Sequence, residues 1–471
     1  MNKAPCVALL LALALALYGC AVGPDFERPA SPGGNGYTAQ PVPEEIVSST
    51  GAESQRLLPG ERISAQWWEL FQSRALNDAL HAAIGGNKSL AAARATLAAA
   101  RENVLAARGG YWPQVDGSAS AERRRQTGNL YTVGATASYA PDVFGATARS
   151  VEEQQALAEQ RNYELAAAYL TLTGDVVTQA ITIASLRSQL EATAEVVADD
   201  ARNLELVRLK YEAGKAPRTD VLTAETQLAI DRTALPGLRQ QLAATRDALS
   251  VLTGRPPATW APPDFDLKDF ALPRELPLSL PSALARQRPD ILAAEALLHA
   301  DSAAIGVATA RLYPNITLTA SGGQQSLDGG SLFQGANTFW ALAAGLTQPI
   351  FHGGTLRAQR RAAIDNYQAS LATYEQTVLQ GLQQVADILQ ALAQDAELVD
   401  AQRQLLESAS AALALQRESY AAGKSDVLQL IIAERAYQQA RLGMVTAQAR
   451  RLQDTAQLFV ALGGGWWEMD F

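Results

Sequence analysis

The chain has 471 residues, a formal net charge of −9 and only 6% aromatic residues. Its basic residues are dispersed, with Arg123-Arg124-Arg125 the one tight run, which argues against a nucleic-acid-binding face. The two cysteines, Cys6 and Cys20, both lie at the extreme N-terminus, so the body can build neither a disulfide nor a cysteine metal site.

Met1-Asn2-Lys3 gives a short basic start, and Val7 to Leu17 is an unbroken apolar run. That run is too short to span ~30 Å of hydrocarbon and fits a secretory signal. It ends in Leu17-Tyr18-Gly19-Cys20, which resembles a bacterial lipobox. Residues 1–19 are then a lipoprotein signal peptide, and Cys20 carries the lipids. The alternative is a plain signal peptide with an incidental cysteine. Ala21 after the cysteine resembles sorting to the outer membrane of a Gram-negative bacterium. Residues 20–72 read as an N-terminal extended strap, rich in Pro, Gly, Ser and Thr up to Gly60, with ordered structure beginning near Trp67-Trp68.

Residues 73–281 form a first structural repeat. Ser73 to Arg108 is helical in pattern and stops at Gly109-Gly110. The period then changes to two. Val115, Gly117, Ala119 and Ala121 alternate with polar residues, and so do Tyr131, Val133, Ala135, Ala137 and Tyr139. This predicts a β-hairpin over 114–140. A long helix over 145–212 follows, with an apolar or aromatic residue at every seventh position from Tyr169 to Tyr211. Gly214 turns the chain at its end. A return helix over 220–252 carries an expected kink at Pro236-Gly237, and a proline-rich linker runs to Pro281.

Residues 282–471 repeat the plan. A helix stops before Pro314. Strands are predicted at 315–322 and 339–350, separated by a glycine-rich loop. The long helix over 354–422 shows the sevenfold series Leu371, Val378, Val385, Leu392, Val399, Leu406, Leu413 and Tyr420. Gly423 turns it, and a return helix covers 426–462. The two tip tyrosines are 420 − 211 = 209 positions apart, so the chain is internally duplicated.

No apolar run in the body reaches the length of a transmembrane helix, whereas ~10 residues suffice for a tilted barrel strand. Four strands cannot close a barrel alone, and an open edge is not tolerated in lipid. Two copies would close a narrow barrel filled by its own side chains, and three would give about 12 strands with room for a lumen. The helices, at ~1.5 Å per residue, are about 100 Å long and suit crossing a periplasm. The fold class expected is mainly α with a small β part: an outer-membrane β-barrel, four strands per chain, continued by a long helical coiled-coil barrel. A lipid-anchored coiled-coil rod of the periplasm is the alternative; it explains the heptads but not the hairpins. His81, His299 and His352 are far apart, so no metal cluster is expected. No nucleophile motif, phosphate loop or metal-ligand spacing points to an enzyme or a cofactor.

Four stretches resemble one family. Cys20-Ala21-Val22-Gly23-Pro24-Asp25-Phe26 with Pro29, Arg288-Pro289-Asp290-Ile291-Leu292 followed by Tyr313-Pro314, Gln348-Pro349-Ile350-Phe351 with Gly353-Gly354, and the two Tyr-x-x-Gly tips occur in the right order. The chain resembles the TolC-like outer-membrane efflux channels, in the lipoprotein branch of NodT type. The resemblance implies a homotrimer in outer-membrane lipid, docked to a periplasmic adaptor protein and an inner-membrane pump, and serving as a passive exit duct. In that family the helix tips close the periplasmic end. Tyr420 lies at the tip tyrosine and Asp220 at its acidic partner. Ile432 stands where the family often has an aspartate, and Leu428 matches an apolar ring. The resemblance, so modified, implies an apolar periplasmic gate at Leu428 and Ile432, with Asp426 the nearest acid. The alternative is that both residues simply pack between helices.

Overall fold

The computed structural model describes residues 21–30, 33, 36–38, 45–47, 54–125 and 128–468. The signal segment and Cys20 lie outside the described residues. The chain divides into two compact units. One holds Met1–Ala30, Arg94–Tyr163 and Leu292–Thr377; the other holds Ser31–Ala93, Glu164–Ile291 and Val378–Phe471.

In the first unit, β3 (Gln114–Arg124) pairs antiparallel with β4 (Gly128–Tyr139), and β6 (Asn315–Ser326) with β7 (Thr338–Thr347). β4 and β6 join the hairpins of the two halves, from Tyr131↔Ser326 to Tyr139↔Leu318. The sheet order is β3-β4-β6-β7, and β3 and β7 are its edges. The third strand runs past its expected end at 322, to Ser326. Gly322 to Ser326 continue the ladder on β4. The glycine there is required by closeness, since a Cβ on Gly323 would lie 2.2 Å from the Val133 carbonyl oxygen. The outer strand β7 leaves Trp340, Leu342 and Leu346 exposed, Trp340 at 77%.

The strap is clamped within this unit rather than merely extended. The Arg149 guanidinium donates to the Val22 carbonyl at 3.3 Å and to Asp25 at 2.6 Å. Phe26 stacks on His299 with centroids 4.4 Å apart, and His299 meets Glu152 at 3.0 Å. Arg28 pairs with the buried Glu295 at 2.5 Å.

The second unit holds another sheet that sequence periodicity did not reveal. β1 (Glu45–Ile46) pairs antiparallel with β2 (Gln55–Pro59), which pairs parallel with β5 (Glu275–Leu278) of the linker. Part of the strap and part of the proline-rich linker are therefore strands. Beside them Trp67, Trp68 and Phe71 are fully buried, and Trp67 stacks on Phe459 at 5.3 Å.

Several helices predicted as single are divided. The first is α1 (Arg74–Gly86) and α2 (Lys88–Arg108). Asn87 caps α2 by accepting from the Leu90 N–H at 2.8 Å, and its amide donates to the Leu252 carbonyl at 2.9 Å. The return helix of the first half is α4 (Arg218–Arg232) and α5 (Ala234–Leu252). It divides at Thr233, not at Pro236, because a proline in the first turn of a helix removes no intrahelical hydrogen bond. The opening helix of the second half is α6 (Pro281–Gln287) and α7 (Pro289–Ala310). Pro289 starts α7 where its missing N–H costs nothing. Contrary to expectation, α7 is long and apolar enough to cross a membrane by length and composition, but 61% of its apolar window is buried inside the protein. The two long helices, α3 (Ala146–Glu212) and α8 (Thr355–Ala421), have 67 residues each and contain no proline. The return helix of the second half is α9 (Val427–Ala461), with 35 residues.

Candidate functional site

The candidate site lies where the long helices turn, in the second unit. Both turns are built alike. Gly214 has φ +70° and Gly423 φ +71°, the left-handed region open to glycine. The Gly214 N–H donates to the Tyr211 carbonyl and Lys215 to Lys210; Gly423 donates to Tyr420 and Lys424 to Ser419. These paired 5→2 and 6→1 bonds satisfy the last carbonyls of α3 and α8.

Beside the turns, Val207 of α3 packs with Val427 and Ile431 of α9, and Val221 and Tyr420 cover that cluster. The Lys210 ammonium sits 3.6 Å above the Tyr420 ring. Asp220, in the first turn of α4, is half-buried, and no hydrogen bond joins it to Tyr420 among the described residues. The tip tyrosine therefore faces a cation of its own chain. Asp426 caps α9, its Oδ1 accepting from the Gln429 N–H at 2.9 Å. Leu428 and Ile432 stand one turn apart and are 54% and 58% exposed. Their neighbours Val427 and Ile431 take the buried positions, so within one chain Leu428 and Ile432 are not packing residues.

Farther along the same helices lies a polar cluster that motif reading missed. Glu434 of α9 is 6% exposed, and the Asn203 amide of α3 donates to both its oxygens at 2.7 and 2.8 Å. Arg417 of α8 bonds Asp199 at 2.7 Å and reaches Glu434 at 3.5 Å. Arg441 pairs with Glu195. A cavity of about 250 Å³ opens here, lined in part by Glu195, Asp199, Asp200, Arg417, Glu434 and Arg441. Burial pushes the Glu434 carboxyl up, with Asn203 and Arg417 opposing. The signal was present in the heptads: Asp200 stands three residues after Val197, where a seam needs its second apolar residue. Among the described residues no group of three or more His, Cys, Asp or Glu is arranged to hold a metal ion.

Residues 79–255 and 280–464 match the outer membrane efflux protein family, one segment in each half. Over 468 residues, 96% of this chain and 97% of the relative, the chain is 30% identical to the solvent efflux pump outer membrane protein SrpC of Pseudomonas putida. The solved outer-membrane channel OprN is similar with a TM-score of 0.85 at 26% identity, over 95% of this chain and 100% of that one. The open state of the Neisseria gonorrhoeae MtrE outer membrane channel gives a TM-score of 0.78 at 28% identity, over 95% and 98%. With a hairpin and a long helix in each half, and the match running through both, the chain belongs to the outer membrane efflux protein family and is an outer-membrane efflux channel of a Gram-negative envelope, part β-barrel and part periplasmic helical barrel.

Proposed function

We propose that the protein is the passive exit duct of a tripartite efflux system, assembled as a homotrimer and lipidated on Cys20. The observation that carries the trimer is the open sheet. β3 and β7 end it without a strand partner among the described residues, and β7 presents exposed Trp340, Leu342 and Leu346. In lipid such edges must pair, and three four-stranded sheets give the ~12 strands that enclose a lumen. A periplasmic adaptor protein meets the helix tips, and an inner-membrane pump supplies the energy and selects the small molecules that leave. The family is one of transport channels rather than enzymes, and the chain itself performs no chemistry.

Leu428 and Ile432 form the gate in this reading. Their exposure in one chain leaves them free to meet the same residues of two other copies and make an apolar constriction that excludes water. Tyr420, held by Lys210, and Asp220 flank it. The native mass in mild detergent tests the assembly: a trimer is expected, and a monomer overturns the barrel. Planar-bilayer recordings test the gate. Ile432→Asp with Leu428→Ser raises conductance several-fold, and an unchanged conductance removes the two residues from the gate.

A further inference from the structure

Two aspartates interrupt the seams of the long helices. Asp200 on α3 and Asp395 on α8 each stand three residues after a seam position, and they are 5% and 1% exposed. Each lies within hydrogen-bonding reach of an aspartate on the return helix of its own half, Asp231 on α4 and Asp454 on α9. Among the described residues nothing donates a hydrogen bond to Oδ2 of Asp200 or of Asp395. Buried carboxylate oxygens ordinarily have donors, and two adjacent buried carboxylates cannot both stay ionised cheaply.

The surroundings of Asp200 do not supply the missing donor. Gln227 donates to Asp231 at 2.5 Å, and Asn203 is bound to Glu434. The charged groups facing Asp200 are Asp199 on its own helix, Asp231 on α4, Glu434 on α9 and Arg417 on α8, and the cavity wall adds Tyr437 and the ion pair of Glu195 with Arg441. Arg417 is engaged with Asp199 and Glu434. Four acids (Asp199, Asp231, Glu434 and Glu195) and two committed bases (Arg417 and Arg441) surround a buried acid. At Asp395 the balance differs, because Arg450 bonds its Oδ1 at 3.1 Å.

We propose that Asp200 and Asp231 form a proton-held latch: one shared proton bridges the carboxyls and seats α4 on α3, and its release to water as the periplasm turns alkaline loosens that seam. The latch lies 12 residues before the end of α3 at Glu212, about 18 Å from the tip. Besides the latch, the seam consists of Leu204 with Ala224 and Leu228, covered by Val197, Ala201 and Val221, and of the Arg208–Glu225 ion pair. Burial first, then Asp231 and Glu434, raises the Asp200 carboxyl from 3.8 to about 8. An acid raised on packing stabilises the packed state fully below its free value. That contribution falls as pH climbs and is gone above the raised value. Between those limits the equilibrium for parting the helices shifts by up to about tenfold per pH unit.

The test is hydrogen exchange of the α4 amides in the full-length protein in detergent, corrected for intrinsic rates, from about pH 6 to 8.5. In the wild type, protection falls by up to about tenfold per pH unit through this range. Asp200→Asn is neutral and nearly isosteric, and its amide donates to Asp231; it flattens the slope. Asp231→Asn does the same and carries the test should the first variant not fold. Asp395→Asn leaves the α4 slope unchanged. A flat wild type, or an equal slope in both latch variants, overturns the proposal. So does restoration of protection at high pH by added calcium, which would put a metal ion in place of the proton. Conductance adds a readout that rests on the gate reading: constant conductance with falling protection leaves the latch standing and removes the tip from gating.

Discussion

Replacing Arg288 by alanine tests how the two pieces of the divided opening helix of the second repeat, α6 and α7, are held. Arg288 is buried, and its guanidinium makes four hydrogen bonds. Nη1 donates to Gln384 at 3.0 Å and to the Ala461 carbonyl at 2.9 Å, while Nε and Nη2 clasp Asp290 at 3.0 and 2.6 Å. It thereby ties the α6–α7 junction to α8 and to the end of α9. The two neutral acceptors contribute roughly 1 kcal/mol each. The Asp290 side chain is 43% exposed, so its clasp is discounted for solvent to about 1 kcal/mol. Arg288→Ala should cost about 3 kcal/mol, the carbonyl of Ala461 being left without its side-chain donor. Arg288→Lys keeps the charge but not the planar fork, and the guanidinium lies against Gly381, whose added Cβ would sit 3.3 Å from Nε. Lysine should therefore restore no more than about half. The assay is denaturant unfolding of the detergent-solubilised protein followed by circular dichroism. A loss below about 1 kcal/mol for alanine, or a lysine variant equal to wild type, refutes the assignment of Arg288 as the tie.

Gly423→Ala tests the tip turn: among the described residues nothing lies within 4 Å of the added Cβ, so the cost is backbone strain, about 1–2 kcal/mol, read from the same unfolding curve. Trp67→Ala should cost about 3–5 kcal/mol, because the indole is fully buried against Phe459; a loss near zero by the same titration removes that cluster from the core. At the clamp, Asp25 is 92% exposed by side chain and Arg149 only 6%. Asp25→Ala should therefore cost less than about 1 kcal/mol and barely speed proteolysis of the N-terminal segment, whereas Arg149→Ala, which also frees Val22 and Glu152, should speed it markedly. Equal rates for the two variants would contradict the contact pattern.

Much of the architecture could be read from periodicity. The heptads marked α3 and α8, alternation marked β3 and β4, and Gly214 and Gly423 marked the turns with the φ values now seen. The misses have physical causes. Gly323 looked like a loop residue, yet the approach of β4 leaves no room there for anything larger. β2 and β5 are short and carry Pro59 and Pro277, which hid them as strands. Asn87 divides a helix through a side-chain cap and a contact 165 residues away, which no local pattern encodes. At the tips, Leu428 and Ile432 were picked out by resemblance, but Lys210 over Tyr420 depends on two chain segments meeting. The polar cluster was legible only to a count that asked which seam positions were not apolar.

The clamp on Val22 to Arg28 has a consequence for the duplication itself. Arg149, which grips Val22 and Asp25, belongs to the first repeat; Glu295 and His299, which receive Arg28 and Phe26, belong to the second. The segment has no counterpart at the start of the second repeat, where Ser282 follows the linker directly. One copy of it serves both halves, so the ancestral symmetry is broken at this point. Two halves expressed as separate chains would then be unequal partners: the first carries the strap, and the second offers only its receptor.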